Sequence, residues 1–166
     1  MLRRLAPALL LALVVPGASA WAASTPAEQS AYYPAAADAR ADLDAALAEA
    51  ARTGRSAVIV FGADWCHDST GLAKVLTGPA FRDEFGARFS VTFIDVGVPQ
   101  TGNGRNLDLI ARYGVKRMRG TPAMFVIGPD GAARNSRRDA QGWRNADSRG
   151  EAAILDWFRR LSAKQD

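Results

Sequence analysis

Apolar positions along this chain switch between a helical and a strand-like period, and the switches delimit its elements. Over 38–52, Leu43, Leu47 and Ala50 recur at helical spacing, with Asp38 ahead as a cap and Gly54 behind as a stop, so an amphipathic helix is predicted. The next run, SAVIVF at 56–61, is short, unbroken and β-branched, the pattern of a central strand covered on both faces. After a turn at 62–65, residues 66–76 have helical character, Gly78-Pro79 interrupts them, and 80–88 is helical again. A second strand is predicted at 90–96, SVTFIDV. The Gly- and Asn-rich stretch 97–106 reads as a surface loop, and 107–113 as a short helix stopped by Gly114.

A third apolar strand, 123–127, runs into Gly128-Pro129-Asp130-Gly131, a turn signal that predicts an antiparallel return over the more polar 132–139. The closing helix at 152–161 places Ile154, Leu155, Trp157, Phe158 and Leu161 inward. Helices alternating with strands predict an α/β fold with a central sheet flanked by helices, without internal repeats.

The N-terminus has a different grammar. Arg3 and Arg4 precede an apolar run at 5–15, Pro16 and Gly17 break it, and Ala18-Ser19-Ala20 supplies the small residues of a cleavage site. This predicts a cleavable signal peptide at 1–20, an extended lead-in at 21–37, and a folded domain at 38–166, secreted to the bacterial periplasm. The apolar run is far short of the roughly 18 to 20 residues that cross a bilayer, so no stable membrane anchor is expected after cleavage.

Composition narrows the chemistry. The 166 residues include one cysteine and one histidine, which excludes an internal disulfide and a structural zinc site made from several such ligands. A formal charge of +4, with no basic cluster interleaved with aromatics, gives no reason to expect a nucleic-acid partner. No cofactor motif is present, the loop at 102–105 matching a phosphate cradle only loosely, and nothing in the pattern fixes an oligomeric state. Cys66, His67 and Asp68 are consecutive on a predicted helix, so they diverge by about 100° each and do not converge on a metal ion.

The informative segment is FGADWCHDST at 61–70, which places Cys66 between a buried strand and the first turn of a helix. Unpaired amides and the positive end of the helix dipole favour a thiolate at such a position. Ser69, one turn on, is expected to donate a hydrogen bond to that thiolate, and His67 to add positive charge when protonated.

A strand followed by WCHDS at a helix start, and later Gly120-Thr121-Pro122 ahead of an apolar strand, resembles the thioredoxin superfamily over about 43–161. Trp65, Cys66 and Pro122 match its motif position by position, and Thr121-Pro122 is similar to the pair found in periplasmic disulfide isomerases. The resemblance implies a thioredoxin-like fold, a cis Thr121-Pro122 bond facing Cys66, and a substrate groove lined by Trp65, His67, Thr121 and Pro122. Two departures stand out: Ser69 replaces the second cysteine of dithiol reductases, and Val60 replaces a buried aspartate.

What remains is a monothiol, C-x-x-S version of the motif, with Cys66 and Ser69 as the catalytic pair and a thiol- or disulfide-containing protein, or a small thiol, as partner. A mixed disulfide on Cys66 then needs an outside thiol for release. Two other readings stay open: a redox-inactive module that holds a client in the same groove, and a sulfenic-acid sensor of peroxide.

Overall fold

The structure, a computed structural model, describes residues 32–164. The signal predicted at 1–20 and the first part of the lead-in lie outside the described residues. The architecture is organised around β1 (Ser56–Gly62), which is buried along its whole length. It pairs in parallel with β2 (Phe89–Asp95) and antiparallel with β5 (Ala123–Ile127), giving a mixed sheet in the order β2-β1-β5. A parallel pair needs a crossover, and α2 (His67–Leu76) with α3 (Pro79–Phe85) supplies it.

Strand periodicity sends alternate side chains to opposite faces, and each face has its own core. Val58, Val60, Met124 and Val126 pack with Leu72, Leu76, Phe81 and Phe158 on one side. Ala57, Ile59, Phe61, Phe125 and Ile127 pack with Leu43, Leu109 and Ile110 on the other. The first face is covered by α2, α3 and α6 (Ala146–Ser162), the second by α1 (Ala39–Thr53) and α4 (Leu107–Ala111). This is the thioredoxin-like arrangement of a mixed sheet between helices.

Local signals account for most boundaries. Asp38 caps α1 by accepting from the Ala41 amide at 3.1 Å, and Gly54 ends it in the left-handed conformation at φ 75°. The loop predicted at 97–106 is more ordered than its composition suggested, because β3 (Gly97–Val98) and β4 (Asn103–Gly104) pair across a single 3-10 turn. The return strand predicted at 132–139 is reduced to one bridge between Ile127 and Ala133, followed by the short helix α5 (Arg137–Ala140). Asn135 explains the difference, since its side chain accepts from the Val126 amide and donates to the Met124 carbonyl, each at 2.9 Å. One polar side chain satisfies the strand edge that a further strand would have paired. The closing helix begins earlier than predicted and carries a break at Gly150, with φ 74°.

Candidate functional site

The sheet register builds the site. Phe61 pairs with Ala123, so the end of β1, where the chain turns into Trp65 and Cys66, lies beside the start of β5, where Thr121 and Pro122 enter. Cys66 is the N-cap residue of α2, in extended conformation at φ −96° and ψ 119°, and its carbonyl accepts the Thr70 amide at 3.0 Å. Its thiol is half-buried and lies 3.5 Å from the Thr121 carbonyl oxygen, as donor. The Thr121-Pro122 peptide bond is cis. Residues separated by more than fifty positions in sequence thus meet at one sulfur.

Trp65 is 52% exposed, the one large hydrophobic side chain in that state among the described residues. Its indole N–H donates to the Gly97 carbonyl at 3.0 Å, which ties it to the β3-β4 hairpin while leaving apolar surface open beside Cys66. His67 is exposed at the first position of α2. Thr121 and Pro122 are buried, with the Thr121 carbonyl turned to Cys66.

Ser69 departs from expectation. The hydrogen bond to Cys66 that the spacing predicts is not formed: Ser69 is fully buried, and its hydroxyl has no hydrogen-bond partner among the described residues. The reason lies below the helix, where a Cβ on Gly62 would stand only 2.8 Å from Ser69 Oγ and 2.6 Å from the Tyr33 ring. The side chain is packed inward against Gly62 and Tyr33, away from the thiol's contact with Thr121. Asp68 accepts the Asp147 amide at 3.0 Å and so caps the start of α6. Gly71 permits that approach, since a Cβ there would lie 2.8 Å from Asp147 Oδ1.

Sequence reasoning missed the contribution of the segment ahead of α1. Tyr33 is 2% exposed, packs edge-on against Phe93 and donates its hydroxyl to the Ser69 carbonyl at 3.0 Å. Asp64, two residues before Cys66, accepts the amides of Tyr32 and Tyr33 at 3.0 and 3.2 Å. The part of the lead-in at 32–33 is therefore clamped to the turn ahead of Cys66, and the tyrosine pair within an Ala- and Ser-rich stretch was the available signal. Gly62 is needed because any side chain there would displace Tyr33.

Burial, followed by the negative charges of Asp64 and of a Cys66 thiolate, pushes the Tyr33 hydroxyl well above its ordinary value. A raised folded-state pKa contributes stability that is fully present below the unfolded value near 10 and is lost as pH rises through the folded one. Tyr33→Phe is expected to cost about 0.5–1.5 kcal/mol at neutral pH by deleting the Ser69 hydrogen bond. It should also flatten the fall of stability above pH about 10. Denaturant melts of both proteins from neutral to alkaline pH check this, and an unchanged alkaline slope would refute it.

Among the described residues no group of three or more His, Cys, Asp or Glu side chains is arranged to hold a metal ion. No described helix is long and apolar enough to cross a membrane.

A family model described as thioredoxin-like matches residues 38–129. The chain is also similar to the crystal structure of a disulphide isomerase from Xylella fastidiosa Temecula1, with 33% identity and a TM-score of 0.69 over 78% of this chain and 95% of that one. No curated protein matches the sequence. A sequence match reaching from α1 past β5, and a solved structure one-third identical over most of both chains, agree with the sheet order and the meeting of Cys66 with Thr121; the chain belongs to the thioredoxin-like family.

Proposed function

We propose that this protein is a secreted, periplasmic thiol-disulfide exchange protein in which Cys66 is the single nucleophile. The observation that carries the reading is the place of the sulfur: on the partly buried Cys66 at the start of α2, beside exposed Trp65 and 3.5 Å from the Thr121 carbonyl. Likeness to a disulphide isomerase supports exchange as the chemistry, and the signal-like pattern at 1–20 supports export.

The deprotonated Cys66 sulfur attacks one sulfur of a partner disulfide. A Cys66–partner bond forms, the partner's own S–S bond breaks, and its second sulfur leaves as a thiolate that takes a proton from solvent. The chain has no other cysteine, so a thiolate from the partner or from a small thiol must then attack the mixed disulfide. When the partner's own freed sulfur does this, no net oxidation or reduction results, and the original disulfide or an alternative pairing is formed. No cofactor enters the cycle. The buried Ser69 side chain sits where dithiol relatives carry a second thiol, and the proposal gives it no bond to sulfur in the reaction.

Alkylation of the folded protein with iodoacetamide tests the reading. Cys66, only partly buried, is expected to react without denaturant. A thiol inert until the chain unfolds would overturn exchange and leave a binding module that uses the same groove.

A further inference from the structure

Beside the cis-proline loop lies an open cavity of about 790 Å³ whose wall includes Arg137, Arg138 and Arg144 together with Tyr113 and Ser136. Arg144 runs against the loop itself, since a Cβ on Gly120 would stand 2.6 Å from Arg144 Cδ, and Gly120 is the neighbour of Thr121. One lining residue, Arg144, thus reaches the neighbour of the residue whose carbonyl contacts Cys66. Arg137 and Arg144 are oriented by backbone carbonyls, donating to Gly114 at 3.1 Å and Gln141 at 3.2 Å. Neither they nor Arg138 forms an ion pair with a described carboxylate, Asp139 included. The turn carrying them is anchored by Trp143, which is fully buried.

The charge extends beyond the cavity. Lys116, Arg117 and Arg119 are exposed on the loop from Gly114 to Gly120, which Arg137 touches at its start and Arg144 at its end. No acidic residue occurs between Tyr113 and Pro129. Uncompensated guanidinium groups spread along an open surface suit several carboxylates on an extended chain better than one small anion.

We infer that this surface receives an acidic polypeptide segment of the same protein whose cysteine reacts with Cys66. The inference rests on the exchange reading for the identity of its partner, but binding at the surface does not require the thiol. An acidic segment held along the arginines would raise the local concentration of its cysteine at Cys66, with a dependence on ionic strength.

The test uses disulfide-linked peptides of equal length with Glu-rich, Gln-rich or Lys-rich flanks, each offered to the purified protein. Mixed-disulfide formation at low salt is expected to be about 10-fold faster for the Glu-rich than for the Gln-rich peptide, and slowest for the Lys-rich one. The preference should collapse in Arg137→Gln/Arg138→Gln/Arg144→Gln, and shrink in Arg138→Glu, which breaks no described contact. Iodoacetamide labelling of Cys66 should be unchanged in both.

Equal rates for all peptides with a reactive Cys66 would overturn the surface and leave exchange standing. An inert Cys66 would overturn exchange, and fluorescence anisotropy of a cysteine-free Glu-rich peptide on Cys66→Ala would then decide the surface alone. No arginine-dependent binding in that assay, or tighter binding to phosphatidylglycerol vesicles than to the peptide, overturns the inference.

Discussion

Cys66→Ala is expected to abolish mixed-disulfide formation, down to the background of buffer without protein, while leaving the fold intact. The loss is complete because 166 residues supply no other sulfur nucleophile, and the nearby Ser69 hydroxyl is buried without a contact to the groove. The cost in stability is small for a physical reason. The side chain is half-buried and caps no amide of α2, and its one described side-chain contact is the weak S–H donor bond to Thr121. Removing it should change stability by less than about 1 kcal/mol. Mass spectrometry after incubation with a peptide disulfide, paired with a thermal melt, checks both statements. A variant that folds and still exchanges would remove Cys66 from the chemistry, and one that binds peptide unchanged without exchange would separate groove from thiol.

The largest expected loss of stability comes from Phe158→Ala. Phe158 is fully buried on α6, and its ring lies 4.9 Å from Phe81, 5.3 Å from Phe89 and 5.7 Å from Phe85. Trp157 stands edge-on to it at 4.9 Å. The residue joins the closing helix to α3 and β2, and α6 in turn packs on α2, which carries Cys66 at its start. Truncation removes the transfer energy of a whole ring and leaves a cavity that several aromatic neighbours cannot all collapse into. The expected cost is about 3–5 kcal/mol, or a fall in Tm on the order of 10 °C. At a temperature where both proteins are folded, Cys66 labelling should keep its rate, because Phe158 acts on the scaffold. A shift below 1 kcal/mol in a denaturant melt would contradict the packing described here.

These two predictions draw on different kinds of information. Cys66 was legible from WCHDS at a strand-to-helix turn, and the inward face of the last helix from the spacing of Ile154, Leu155, Trp157, Phe158 and Leu161, of which Trp157 is only partly buried. The three sheet strands and α1, with its Asp38 cap and Gly54 stop, were legible for the same reason: period, capping and turn chemistry are recorded within a few residues. Where sequence reasoning failed locally, a side chain took over a backbone's task. Asn135 satisfies the edge of β5, so a return strand that the Gly-Pro-Asp-Gly turn predicted is cut to one bridge.

By itself the sequence determined the order of the three sheet strands and of α1, α2, α3, α4 and α6, the single thiol and its place at the start of a helix. Tertiary structure alone decided which way Ser69 packs, that Asp64 clamps Tyr32 and Tyr33 to the turn ahead of Cys66, and that Asp68 caps a helix 79 residues later. It also decided that Arg137 and Arg144 close on the loop before Pro122. Each of these brings together residues from different segments, through packing that local periodicity does not encode.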